Sequence, residues 1–449
     1  MTPKAPIDHL IKPVSRFIHL EYTSGLVLLF GVVLAIVWVN SPFAESYHHV
    51  WEINFSVGFG DDRLSHPLHL WLNDGLMAIF FFVIGLELKR EFLAGELSSI
   101  KKAALPMVAA LGGMLVPALI YTLINKGGDG AHGWGIPMAT DIAFALALLS
   151  MAGKHIPSSV KVFLSALAVA DDLGAVLVIA FFYSNNLHFG PLMIGGIFLL
   201  ALIIGNAVGI RHTAFYLILG FGVWVGFLLS GVHATIAGVL VAFTIPAKRR
   251  VDEQRYATRL RELSDEFERE IPDCSTLTTP RQHELIEHIK GLSLAAQTPL
   301  QKIESTLHPW VAFIIMPLFA LANSGITISA DFVHKLINPV SIGVICGLVL
   351  GKFMGVLSFT WLLIKFKVAE LPHAARWHHI IGVSALAGIG FTMSLFVSSL
   401  AFENAERIEQ AKYGILVASI VAGLSGIIIL KHSARASSFV NKPKVKSAT

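Results

Sequence analysis

Six ionisable side chains stand where a long apolar run should carry none: Asp74, Glu87, Asp141, Asp171, Asp172 and Lys352. A charge at the middle of a membrane helix costs about 2.5–3.5 kcal/mol on insertion scales, so each needs a partner or a task. Asp171 and Asp172 are neighbours. Adjacent helical residues point about 100° apart, because a turn takes 3.6 residues. One lysine can therefore neutralise one of the two carboxylates, but hardly both. The other lowers its energy by taking a proton, which burial and a nearby like charge favour, or by binding a small hard cation through its oxygens. Where both choices meet at one site, cation and proton exclude each other. Lys352 then pairs with Asp171 in the empty site and loses that partner when Asp171 is protonated or recruited.

The elements that position these groups follow from composition. The 449 residues are 54% hydrophobic and 14% charged, with a mean hydropathy of +0.68. Soluble domains carry about a quarter charged residues, so an ordinary cytosolic enzyme is excluded. Disordered, collagenous and coiled-coil chains are excluded too: Phe is 30, and Gly is 38 without a triplet period. A polytopic, all-α membrane protein remains. The net charge of +4 points to no nucleic-acid partner. Cys274 lies in a polar stretch and Cys346 in an apolar one, which predicts no disulfide, and no CxxC suggests a metal centre.

A membrane helix needs about 20 apolar residues. Twelve candidates occur, near 21–39, 68–88, 104–124, 135–152, 159–183, 190–210, 213–229, 231–246, 307–328, 338–364, 378–401 and 412–430. Lys4, Lys12 and Arg16 precede the first, which reads as a retained span rather than a signal peptide. With both termini on one side, the loops of that side hold 28 Lys and Arg against 5 on the other. The positive-inside rule makes the rich side cytosolic. The predicted organisation is a cytosolic N-terminus (1–20), spans one to eight (21–246), a charged cytosolic insertion (247–306), spans nine to twelve (307–430) and a cytosolic tail (431–449). The insertion holds ten basic and eleven acidic residues, and Arg255 to Glu270 reads as a charged helix. It is either a solvated loop or a regulatory element. Lys442, Lys444 and Lys446 in the tail could touch anionic lipid. The outside stretch Trp51 to Val57, ending at Gly58 and Gly60, suggests a short β-hairpin.

Span four contains Gly135, Pro137, Thr140 and Asp141, and span eleven contains Gly388, Gly390 and Thr392. Both read as interrupted helices, which at membrane depth must line a cavity or be buried in protein. Their positions make spans three to five and ten to twelve repeats, and parity makes the repeats inverted. Asp141 and Lys352 could each compensate the partial charges of the broken helix ends.

The motifs Leu72-Asn73-Asp74, Gly85-Leu86-Glu87-Leu88-Lys89-Arg90-Glu91, Ala139-Thr140-Asp141-Ile142-Ala143-Phe144-Ala145, Ala170-Asp171-Asp172-Leu173-Gly174-Ala175, Ser230-Gly231-Val232-His233-Ala234-Thr235, His308-Pro309-Trp310, Gly351-Lys352 and Gly390-Phe391-Thr392-Met393-Ser394 occur in this order. From about residue 20 to 430 the chain resembles the NhaA-type sodium/proton antiporters, an inverted-repeat family with its site near the bilayer midplane. The resemblance implies an electrogenic exchanger of the bacterial inner membrane that moves Na+ or Li+ out and a larger number of protons in. It implies ion and proton binding at Asp171 and Asp172, with Thr140 and Asp141 at the helix crossing and Lys352 as partner lysine. Glu87, Arg90, Glu91 and Glu304 would belong to a pH-responsive cluster, with His233 more loosely attached. Asp74 would be structural or part of an ion funnel. A homodimer would form through the outside hairpin within 45–62, and no cofactor is implied.

Two departures from the family fall on the side where pH is sensed. Glu304-Ser305 stands where Glu-His is common, and the loop after span eight is longer. A lone histidine in an apolar segment, such as His233, is more often a packing residue than a sensor, and His48-His49 and His378-His379 lack a third zinc ligand. Three rivals compete: a sodium-coupled symporter, a channel, and an intramembrane aspartyl protease through Gly58-Phe59-Gly60-Asp61. The last would place its aspartate in a polar loop, and no HExxH or GxSxG occurs.

Overall fold

The computed structural model describes residues 23–59, 62–153, 155–184, 187–270, 277–328 and 331–440. The N-terminal segment 1–20, Asp61 of the protease-like motif and the lysines at 442–446 lie outside them.

Helix α1 (Thr23–Val39) turns by 115° into α2 (Ala44–Glu52), which leads into strands β1 (Asn54–Phe59) and β2 (Asp62–Pro67). The strands pair antiparallel, from Asn54 opposite Pro67 to Phe59 opposite Asp62. The hairpin therefore begins later than Trp51 and ends later than 62. Trp51 is instead helical, because Tyr47 and Trp51 share one face of α2 and pack edge to face with ring centroids 6.0 Å apart. Trp38 of α1 completes the cluster at 5.5 Å from Tyr47.

The membrane-type helices follow: α3 (Leu68–Ala94), α4 (Ile100–Ile124), a 3₁₀ segment (Ala131–Met138) leading to α5 (Ile142–Met151), α6 (Ser158–Phe182), α7 (Phe189–Val208), α8 (Thr213–Leu228) and α9 (Ala234–Thr244). After α10 (Glu253–Arg269) and α11 (Pro280–Ala296) come α12 (Pro299–Asn323), the short α13 (Phe332–Leu336), α14 (Pro339–Lys365), α15 (Trp377–Leu386), α16 (Phe391–Ala401) and α17 (Ala405–Val440). Among the described residues, eight helices are long and apolar enough to cross a bilayer, or ten if each bent pair is one span. The second bent pair is α15 and α16, turned by 43°. Each apolar segment read from the sequence falls on a helix, but α8 and α9 have only 16 and 11 residues. At 1.5 Å per residue α9 covers about 16 Å, half a hydrocarbon core.

Helix α4 lies directly against α14. A methyl group on Gly112 or Gly355 would overlap the carbonyl oxygen of the other. Further along, Gly113 meets Val356, Pro117 meets Gly351, Tyr121 meets Gly343, and Asn125 Nδ2 donates to Pro339 O at 3.0 Å. From Gly112–Gly113 to Asn125 on α4 the partners run back from Gly355–Val356 to Pro339 on α14, so the two are antiparallel. That is the relation expected of the first helices of two inverted repeats. A π-helical turn, Cys346–Gly351, immediately precedes Lys352. Two more interrupt α3 (Trp71–Leu76) and α12 (Val311–Ile315). Such turns mark functional places in helices.

The insertion folds into a helical hairpin, α10 and α11, closed by Leu263 and Leu285 and by an Arg281–Glu266 ion pair at 3.2 Å. The Asp252 side chain caps α10, and a Thr279/Gln282 capping box starts α11. Helix α12 starts at Pro299 rather than 307. Thr298 accepts from Gln301 N, and Pro299 suits the first helical position.

Candidate functional site

Thr140 and Asp141 sit in a non-helical stretch between the 3₁₀ segment and α5, facing the break at 387–390 between α15 and α16. The two breaks are stitched together. Asp141 N donates to Ile389 O at 2.7 Å, and Ser394 Oγ to Ile136 O at 2.8 Å. Asp141 compensates exposed helix N-termini: Oδ1 accepts from Phe144 N at 3.1 Å, and Oδ2 from Thr392 N at 3.0 Å and from the Thr392 hydroxyl. A carboxylate fits there because the first N–H groups of a helix lack intrahelical partners.

Helix α6 brings Asp171 and Asp172 to this crossing. Lys352 Nζ donates to Asp171 Oδ2 at 2.5 Å, and both side chains are fully buried. Thr140 Oγ1 lies 2.7 Å from the same oxygen and 2.9 Å from Ala387 O. Its one hydrogen can serve only one of the two at a time. Lys352 thus neutralises a carboxylate rather than a helix end, leaving the crossing to Asp141. Asp172 is 1% exposed, and neither of its carboxylate oxygens has a hydrogen-bond partner among the described residues; Asp171 Oδ1 is likewise without one. Asp172, Asp141 and Thr392 line a cavity of about 380 Å³ that reaches Glu87 and His308. Among the described residues, the unpartnered oxygens of Asp172, which lines the cavity, and of its neighbour Asp171 are hard-oxygen donors of the kind that an alkali cation takes.

At the far end of the cavity, Arg90 gathers three acids. Its guanidinium lies 2.5 Å from Glu304, 3.1 Å from Glu91 and 3.6 Å from Glu87. The early start of α12 carries Glu304 into this group. Lys89 is turned away and donates to Phe243 O and Ile245 O, at 2.6 and 2.5 Å, covering the C-terminal carbonyls of α9. His233 lies at the opposite end of α9, with Nε2 at 2.7 Å from Tyr183 O. It does not join the cluster. Asp74 lies in the π-helical turn of α3, where its carbonyl accepts from Trp224 Nε1 at 3.0 Å; it does not line the cavity.

Two members of the site were not singled out by spacing. Thr392 stands in the second Gly-rich break, but nothing in its spacing pairs it with Asp141. Ala387 O is a backbone group that any residue type would supply. Among the described residues no three His, Cys, Asp or Glu side chains are arranged to hold a metal ion as a resident group.

Residues 15–430 match the family described as Na+/H+ antiporter 1. The Na(+)/H(+) antiporter NhaA of Oleidesulfovibrio alaskensis is 51% identical over 95% of both chains. That of Koribacter versatilis is 45% identical over 99% of this chain and 96% of its own, and that of Acidithiobacillus ferrooxidans 47% over 95% and 98%. The solved sodium proton antiporter MjNhaP1 of Methanocaldococcus jannaschii aligns over 93% of this chain and 91% of its own, with a TM-score of 0.42 at 14% identity. Near-full-length identity of about half, together with the matched family, means that this chain belongs to the Na+/H+ antiporter 1 family and is a multi-pass membrane transporter rather than an enzyme.

Proposed function

We propose that the protein exports one Na+ or Li+ from the bacterial cytosol in exchange for more than one H+, with cation and protons competing for Asp171 and Asp172. The observation that carries this reading is Asp172, buried at the cavity end with both oxygens unpartnered among the described residues. The cation enters along the cavity and takes oxygens from Asp172, Asp171 and Thr140. Asp171 then releases Lys352. Alternating access turns the loaded site to the other face, where protons displace the cation and return inward. Charge counting makes the cycle electrogenic. Two carboxylates and one ammonium carry −1; one cation brings the site to zero and two protons bring it to +1. No cofactor takes part.

Both termini lie in the cytosol, with twelve crossings of the inner membrane. Arg90 with Glu87, Glu91 and Glu304 forms the pH-responsive group. One guanidinium cannot balance three carboxylates, which leaves the cavity mouth with an excess of negative charge. The β-hairpin joins two copies into a homodimer. A two-stranded sheet is marginal alone, and its free edges suit pairing with a second hairpin.

Vesicles holding the purified protein and made acid inside test the central claim. Na+ added with no organic solute should release protons and dequench a pH probe. Absence of that signal with wild-type protein overturns the exchange reading and favours a symporter.

A further inference from the structure

A second cavity, of about 890 Å³, lies beside the ion path and belongs to no part of the exchange chemistry. Its walls are the first turn of α4 with Lys101 and Lys102, the first turns of α6 with Ser158 and Ser159, and the loop after α14 with Lys367 and His373. Glu96 and Glu370 also line it. None of the three lysines makes an ion pair among the described residues, whereas Arg90, close by in sequence, is ringed by acids. Two features make the cavity electropositive beyond this count. Lysines in the first turn of α4 stand at the positive end of its dipole, where cations are disfavoured. Helix α6 also starts there without a capping side chain; Val160 N is taken by Pro157 O at 3.0 Å, which leaves the N–H groups of Ser158 and Ser159 for an acceptor. The Ser159 hydroxyl donates to His373 O at 2.5 Å, tying the loop after α14 to the start of α6.

The surroundings choose the kind of anion. Ile100, beside Lys101, is 90% exposed, and Phe366 and Val368, which flank Lys367, are 68% and 57% exposed. A soluble anion gains nothing from these side chains, whereas acyl chains would cover them. The loop-charge bias also puts this end of the helices at the cytosolic interface, where basic pockets between membrane helices take anionic headgroups. We propose that this cavity binds the phosphate-bearing headgroup of an anionic phospholipid, held by Lys101, Lys102, Lys367 and the N-terminus of α6.

Its occupancy bears on transport through α6. At about 100° per residue, Lys161, Ser165 and Asp172 form one stripe of that helix, and Ser159, Phe163 and Ala166 form another on the opposite side. The first stripe lines the ion cavity and the second the lipid cavity; Val162 touches both. A headgroup holding the first turns of α6 steadies the wall on which Asp172 is mounted.

The test uses delipidated full-length protein in detergent, with dioleoylphosphatidylglycerol, dioleoylphosphatidylcholine or inorganic phosphate added separately. Phosphatidylglycerol should raise the melting temperature by several degrees and remain bound in native mass spectra, while the other two do neither. The Lys101/Lys102/Lys367→Gln variant should lose that response yet retain Na+-driven proton exchange in phosphatidylcholine vesicles. Should this variant fail to fold, Glu96/Glu370→Gln, which removes the opposing charges, should bind phosphatidylglycerol more tightly than wild type. An equal response to phosphatidylcholine, an undiminished response in the lysine variant, or no gain in the glutamate variant overturns the proposal. A full response to phosphate alone makes the ligand a soluble anion and overturns the lipid assignment. Lipid retention is read without transport, so its outcome is independent of the exchange reading.

Discussion

Lys352 Nζ lies 2.5 Å from Asp171 Oδ2, while the adjacent Asp172 has no hydrogen-bond partner on either oxygen among the described residues. The neighbouring acids are therefore unequal: one is held by an ammonium group and a threonine hydroxyl, and the other faces a cavity. A site with one compensated and one uncompensated carboxylate can change occupancy by one charge at a time.

Asp172→Asn is expected to abolish Na+-dependent proton exchange while leaving the protein folded in the membrane, because the amide keeps the shape and loses the charge. Proton flux in vesicles, with gel-filtration behaviour as the folding control, checks this. Normal transport by the variant contradicts the role given to Asp172.

Removing Lys352 alone should be costly to stability. Lys352→Met leaves Asp171 buried without its ammonium, and breaking a buried pair on one side typically costs about 3–5 kcal/mol. Adding Asp171→Asn removes the stranded charge, so the double variant should recover most of the melting temperature lost by the single one. If the two variants melt at the same temperature, the stranded Asp171 charge is not what destabilises the single one.

Thr392→Val removes the hydroxyl that donates to Asp141 Oδ2 but keeps the backbone donor. A hydrogen bond to a charged group contributes about 1.5–3 kcal/mol. The valine variant should be less stable and slower in exchange, and Thr392→Ser should restore both. Equal loss in the serine variant would point to the methyl group and packing instead.

The hairpin α10–α11 can be removed on geometric grounds, since Arg250 N lies 3.3 Å from Ala295 O and the ends of the insertion meet. Deleting 252–294 should leave exchange intact and move only its pH dependence, read as flux across a pH series. Loss of exchange by a stably expressed deletion variant would make the insertion essential.

Much of the architecture was legible because lipid imposes strong rules. Apolar runs announce helices, loop lysines and arginines suggest orientation, and Gly or Pro at depth marks a broken helix. The same rules fail where packing among side chains takes over. Trp51 alternates like a strand residue but is helical, since its ring packs with Tyr47 on one face of α2. Residues 299–306 read as polar loop but extend α12, because Thr298 and Pro299 start a helix that hydropathy does not register.

By itself the sequence determined which charges must be explained: adjacent acids and one lysine in apolar segments, too costly to keep without partners or purpose. The expected pairing of Lys352 with Asp171 is present; only the tertiary structure decided that Asp172 faces the cavity, that Thr392 rather than a lysine steadies Asp141, which of three acids lies nearest Arg90 and that His233 stands apart. The reason is physical. The cost of burying a charge depends on residue type and surroundings along the chain, whereas its compensation depends on distance, and these partners lie tens to hundreds of residues away.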